Sequence, residues 1–165
     1  MVTLKRILVA TDFDEAADVA LEYGRELART FRSSLDVLHV VDNVVARGLA
    51  GEGFMAAYPE LQHEVEQAAE KRLAERISDE DRLLLNAKPV IRMSSSPALA
   101  IVEYAQAAGV DLIVMGTHGR GAMAHLLMGS VAERVVRMAP CPVLTLKHPE
   151  HEFIRPDALV AVDKA

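Results

Sequence analysis

Apolar residues along this chain fall into two rhythms, short unbroken runs and longer stripes stepped by three or four, and the two alternate. KRILVA, followed by the turn-like TDFD, predicts a buried strand over about residues 5–10. In EAADVALEYGRELARTF the residues Ala16, Val19, Ala20, Tyr23, Leu27 and Phe31 recur at helical spacing and predict an amphipathic helix. SLDVLHVV predicts a second strand. DNVVARGLAGEGFMAAYP has glycines but no sustained period, so residues 43–60 or so read as an unusually long connection. Leu61, Val65, Ala69, Leu73 and Ile77 then step by fours through a charged background, predicting one long surface helix that ends before Lys88.

The alternation continues to the end of the patterned region. KPVIRM predicts a third strand. In SSSPALAIVEYAQAAG serine caps and Pro97 suit the start of a helix, and Gly109 suits its end. DLIVMG predicts a fourth strand, Ala124, Leu127, Val131 and Val135 another helical stripe, and CPVLTL a fifth strand. The order βαβαβαβαβ predicts an α/β fold, a single five-stranded parallel sheet with helices on both faces, because right-handed crossovers allow little else. Ligands of such sheets bind beyond the carboxyl ends of the strands, where the strand order reverses. Strands one and four flank that crevice, bringing Thr11, Asp12 and Phe13 opposite Met115 to Gly121.

Composition narrows the classes of function. A chain of 165 residues suits one domain. A formal charge of −6 argues against a nucleic-acid footprint, which needs a basic face, and no apolar stretch approaches the length that spans a bilayer. One cysteine excludes an internal disulfide framework, and the N-terminal apolar run is too short for a signal-peptide core, so the expected location is cytoplasmic.

The segment DLIVMGTHGRGAMAHLLMGS carries the candidate chemistry. A glycine loop leading into a helix exposes unpaired N–H groups that suit phosphate. Gly119 and Gly121 can aim successive amides inward as an anion-binding nest, and Arg120 can add a charged contact at the rim. If the segment between them folds back, Gly129 leaves room for a phosphate oxygen and Ser130 supplies a hydroxyl. Two familiar phosphate motifs fail. Gly119-Arg-Gly121-Ala-Met-Ala124 spells G-x-G-x-x-A, but it does not follow the first strand and has no acid about twenty residues on; no Gly-Lys-Ser or Gly-Lys-Thr exists for a Walker loop.

Gly116, Gly119, Gly129 and Ser130 fit the pattern G-2x-G-9x-G-S, flanked by ILVATDFDE, VMGTHGRG and CPVLTL in that order. On these residues the chain resembles the universal stress proteins of the ATP-binding kind, over roughly residues 3–147. The resemblance implies a Rossmann-like domain of the adenine nucleotide alpha hydrolase type over residues 1–147, with residues 148–165 a C-terminal tail. It implies ATP, with or without Mg, lying across the strand ends: Thr11 and Asp12 bordering the adenosine, Val40 or Val41 offering backbone to adenine, Met115 lining the base pocket, and Gly116, Gly119, Gly129, Ser130 and Val131 holding ribose and phosphates. Two departures are visible. Ala10 stands where many relatives have proline, and Ser94 to Ser96 replace a glycine often found before Pro97; neither touches the phosphate loop.

Three functions compete. The first is a stress-response regulator that binds adenine nucleotide and acts through its conformation or an unidentified protein partner. The second is a slow ATP-hydrolysing enzyme on the same site, disfavoured because the loop offers no evident general base. The third is a dimeric interaction protein without nucleotide. A homodimer joined near the fifth strand is expected, since Val143 to Leu146 should form an apolar sheet edge, unless the tail covers it. The plainer readings stay open beside these. The glycines also suit a tight turn and close helix contact, and Asp12 the N-cap region of the first helix. Core packing suits at least two of Met115, Met123 and Met128, and Cys141 reads as a small packed residue. A structural or solvent-facing role suits His39, His118 and His125 better than zinc, and a solvated helix terminus suits Ser78-Asp-Glu-Asp81.

Overall fold

A computed structural model describes residues 2–43, 58–117 and 128–147. Strands β1 (Arg6–Ala10), β2 (Ser34–Val41), β3 (Lys88–Met93), β4 (Leu112–Gly116) and β5 (Val143–Leu146) form one parallel sheet in the order β3-β2-β1-β4-β5. The order reverses between β1 and β4, as the alternating pattern predicts. Helices α1 (Glu15–Phe31), α2 (Tyr58–Arg76) and α3 (Asp79–Leu85) are placed with the core of one face, where Ile7, Val9, Leu35, Val37 and Val114 meet Ala20, Leu21, Leu73 and Leu85. Helices α4 (Pro97–Ala108) and α5 (Ser130–Met138) cover the other, where Leu8, Leu38 and Ile113 meet Ile101, Ala105 and Val135. Central strands buried on both sides explain why their sequences run apolar without alternation.

Helix α1 turns a different face to the sheet than its large apolar residues suggest. Ala16, Ala17, Ala20, Leu21, Gly24 and Ala28 are buried, whereas Tyr23 and Phe31 of the expected stripe are 53% and 38% exposed. Small residues make the seam because they let the helix axis approach the strands. A Cβ on Gly24 would collide with Val9 Cγ2, and one on Gly116 would lie 3.0 Å from Ala16 Cβ and 3.1 Å from the Ala16 carbonyl carbon.

The single long helix expected before Lys88 is two. Helix α2 ends at Arg76 and α3 restarts after a capping box at Ser78, whose hydroxyl accepts from Asp81 N–H at 3.0 Å while Asp81 Oδ2 accepts from Ser78 N–H at 3.1 Å. Asp81 is therefore no solvated terminus. It is 2% exposed, and Arg25 of α1 donates to its Oδ2 at 2.9 Å and also to the Arg76 carbonyl. Burial pushes the Asp81 carboxyl up, but the Ser78 N–H, the Arg25 guanidinium and the Ser78 hydroxyl outweigh it and hold the group below its ordinary value. In the remaining stripe Ala69, Leu73 and Ile77 are buried and Val65 is exposed.

Helix α4 begins with Pro97 in its first turn and ends at Gly109, which adopts φ 64 as the left-handed cap. The expected serine cap differs in detail. Ser96 occupies the N-cap without a capping side-chain bond, and its own N–H donates to Ser94 Oγ at 3.0 Å.

Candidate functional site

Strands β1 and β4 lie side by side with Ala10 opposite Met115, so the segments that leave them emerge together. Beyond β1, Thr11 is buried and its N–H donates to the Leu38 carbonyl at 2.9 Å, the last rung joining β1 to β2 among the described residues. Its hydroxyl accepts from Phe13 N–H at 3.0 Å, and Asp12 Oδ1 accepts from Asp14 N–H at 3.3 Å. Asp14, not Asp12, caps α1, accepting from Ala17 N–H at 2.7 Å. Burial, then the neighbouring Asp12 and Asp18 carboxylates, raise the Asp14 carboxyl against the lowering effect of the Ala17 bond. Asp12 is half-buried.

Beyond β4, Thr117 donates its N–H to the Leu146 carbonyl at 2.8 Å and accepts from Gly129 N–H at 2.6 Å. That second bond pins the start of α5 to the carboxyl end of β4. The first bond inside α5 runs from Glu133 N–H to the Gly129 carbonyl at 3.0 Å, so the amides of Ser130, Val131 and Ala132 have no acceptor within the helix. These donors, the exposed Ser130 hydroxyl and the positive end of the helix dipole sit at the β4 side of the crevice. Val131 is half-buried against the core, and Gly129 has φ −69 and ψ 152, which any residue adopts.

The two valines offered for a base separate cleanly. Successive residues of a strand present their backbone groups to opposite neighbours. Val41 faces β3, and its carbonyl accepts from Ser94 N–H at 3.0 Å. Val40 faces the β1 side, beyond the last rung that β1 supplies, so its N–H and C=O border the crevice. Met115 is 5% exposed within the α4–α5 core, and Met128 packs against the same cluster. Gly116 serves the close approach of α1. Gly119, Arg120 and Gly121, with His118, Met123, Ala124, His125 and Leu127, lie outside the described residues.

Sequence reasoning missed the cluster of side chains that gathers on Phe13 at the end of β1. Phe13 has φ 68, a left-handed backbone that a bulky residue rarely adopts. Its ring centroid is 4.2 Å from that of His39, and the Arg72 and Arg76 guanidinium carbons lie 4.3 and 4.9 Å from it. Only the αL turn brings these residues together, and nothing in DFD announces it. No cluster among the described residues has the ligands for a metal ion, and no described helix is long and apolar enough to cross a membrane. Burial, then the Asp111 carboxylate, push the Cys141 thiol up, which disfavours the reactive thiolate.

Residues 3–147 match the Universal stress protein family. The chain is 34% identical over 148 residues to Universal stress protein MJ0531 of Methanocaldococcus jannaschii, covering 90% of this chain and 85% of that one. Among solved structures it is similar to the universal stress protein UspA from Lactobacillus plantarum, with a TM-score of 0.76 and 26% identity over 88% of this chain and 99% of that one. It shares its fold with a universal stress protein from Archaeoglobus fulgidus solved in complex with dAMP, at a TM-score of 0.62 and 21% identity over 89% of this chain and all of that one (100%).

Proposed function

The chain belongs to the universal stress protein family, and from that premise we propose that it is a regulatory protein that binds an adenine nucleotide, ATP, across the carboxyl ends of β2, β1 and β4. The observation that carries this reading is the start of α5, pinned to the carboxyl end of β4 with amide donors that have no acceptor within the helix. Phosphates would lie on the Ser130, Val131 and Ala132 amides and the Ser130 hydroxyl, with the Gly116–Gly121 segment and Arg120 completing their cover. Adenosine would lie over Thr11 and Asp12, its base edge reading the Val40 N–H and C=O. A relative on this fold holds dAMP, which agrees with an adenine nucleotide but extends no further than the fold. Mg would sit among phosphate oxygens rather than in a protein cage, since no described cluster supplies one.

Titration calorimetry with ATP tests the reading. Ser130→Pro leaves the helix start intact, because proline suits a first helical position, yet removes one amide and the hydroxyl from the proposed phosphate site. It is expected to weaken ATP at least tenfold while the unfolding midpoint stays near that of the wild type. Unchanged affinity would remove the α5 start from the site, and a wild type that binds no adenine nucleotide would leave the family's fold serving another purpose.

We propose further that the protein is cytoplasmic and a homodimer, joined through one of the two edges of its sheet. β3 is guarded by Lys88, Pro89 and Arg92, residues that discourage strand addition. β5 presents Val143, Leu144, Thr145 and Leu146, all half-buried, and has no lysine, arginine or proline among these four residues. Light scattering is expected to give a dimer of the full chain, twice 18.0 kDa, and likewise a dimer, of correspondingly lower mass, when residues 148–165 are removed. A full-length monomer that associates only when the tail is removed would overturn the dimer.

A further inference from the structure

We propose that His39 is a positioning residue: its Nδ1–H, bound to the Thr11 carbonyl, holds the Thr11–Asp14 turn in the shape that receives the adenosine end of the nucleotide. The inference rests on the nucleotide reading above and adds to it a residue outside the glycine pattern.

Three observations converge on this side chain. His39 Nδ1 lies 2.8 Å from the Thr11 carbonyl oxygen. A carbonyl only accepts, so Nδ1 carries the proton and the ring is fixed in that tautomer or its cation. The bond sits just past the end of β1, on the carbonyl of the same residue whose N–H makes the last rung to β2 among the described residues. Second, the Phe13 ring packs tilted against the same imidazole, its centroid 4.2 Å away, so one side chain of β2 contacts both neighbours of Asp12. Third, Phe13 holds φ 68, a left-handed backbone that strains an L-residue and persists only where the surroundings over-determine it. The surroundings are His39, Arg72 and Arg76 against the ring, and the Thr11 hydroxyl on the Phe13 N–H; Arg76 is itself held by Asp18 at 2.8 Å. The strained backbone turns the chain sharply between Asp12 and the Asp14 cap. Asp12 therefore has a neighbour fixed on either side by a side chain of β2, while its own Oδ1 accepts from the Asp14 N–H. A turn held in advance spares the ordering cost at the moment of binding.

Two substitutions separate the hydrogen bond from the ring. His39→Asn keeps an N–H donor at the place of Nδ1 and loses the ring; His39→Phe keeps a ring on Phe13 and loses the donor. Hydrogen exchange of the Phe13 and Asp14 amides in ligand-free protein reads the turn, calorimetry with ATP reads the site, and thermal unfolding checks the fold. The expected result is that His39→Phe speeds exchange at both amides about tenfold and weakens ATP by a similar factor. His39→Asn should stay within about threefold of wild type on both, and the unfolding midpoints of the two variants should agree within a few degrees. Unchanged exchange or unchanged affinity in His39→Phe overturns the inference, as does a His39→Asn variant as weak as His39→Phe. A wild type that binds no ATP would instead remove the nucleotide reading, and the exchange rates would still decide whether His39 holds the turn.

Discussion

Gly24→Val is expected to lower the unfolding midpoint by roughly 5–10 °C. Gly24 lies in the middle of α1, where glycine costs a helix about 1 kcal/mol relative to alanine, so propensity alone predicts that a substitution stabilises. Packing reverses the sign. The position of a Cβ falls within the van der Waals envelope of Val9 Cγ2, and Val9 is fully buried between the two layers of helices. Valine adds two further methyl groups to that collision, and over-packing of this kind costs about 1–3 kcal/mol or somewhat more. At about 2–4 °C per kcal/mol for a domain of this size, the shift should be easily measured by calorimetric or dichroism scans. Gly109→Ala is the comparison. Nothing lies within 4 Å of a Cβ there, and only the left-handed φ of 64 opposes the change, at about 1 kcal/mol. A Gly24→Val protein as stable as Gly109→Ala would mean that α1 does not sit on β1 as closely as described.

That example marks where the sequence is legible. Strand cores such as ILVA and LIVM are continuous apolar runs because both of their faces are covered, and a run of that kind reads directly as a central parallel strand. Helix α1 is harder, since its buried seam is alanine and glycine. Counting Tyr23 and Phe31 as core residues follows hydrophobicity, whereas the sheet selects for smallness. The α2–α3 break was legible in principle, because Ser78 with an acid three residues later is a capping signal; the even steps from Leu61 to Ile77 masked it.

The candidate site divides in the same way. Glycine and serine spacing announces the α5 start, for backbone donors at a helix terminus depend on local sequence. Choosing Val40 over Val41 needs the register of β2 against β1 and β3, which is a property of the sheet. The Phe13 turn needs more still: a left-handed phenylalanine is stabilised by residues from β2 and α2 that are distant in sequence, so no window around TDFD contains the reason for it.

Tyr104→Phe is expected to destabilise the protein by on the order of 2 kcal/mol near neutral pH, and to flatten its response to alkali. The Tyr104 hydroxyl of α4 donates to Asp36 Oδ2 at 2.8 Å, and Asp36 is fully buried in the middle of the sheet. Arg6 and Lys88 lie 3.8 and 3.6 Å from the carboxylate and neutralise it without matching the phenol's geometry. Removing the hydroxyl therefore leaves a buried carboxylate oxygen short of a donor, the costly half of a broken hydrogen bond. Burial first, then the hydrogen bond to Asp36 and the charge of Asp36, push the phenol up from 10.0 to about 12. A folded-state value above the unfolded one means that the folded protein holds this proton more tightly. The stabilisation is whole below pH 10 and is lost as pH rises toward about 12, where the unfolded chain has already ionised and the folded chain ionises in turn. Urea midpoints measured from pH 8 to pH 12 should therefore fall more steeply for wild type than for Tyr104→Phe, with the two curves converging at the alkaline end. Parallel curves across that range would show that the Tyr104–Asp36 bond carries no such linkage.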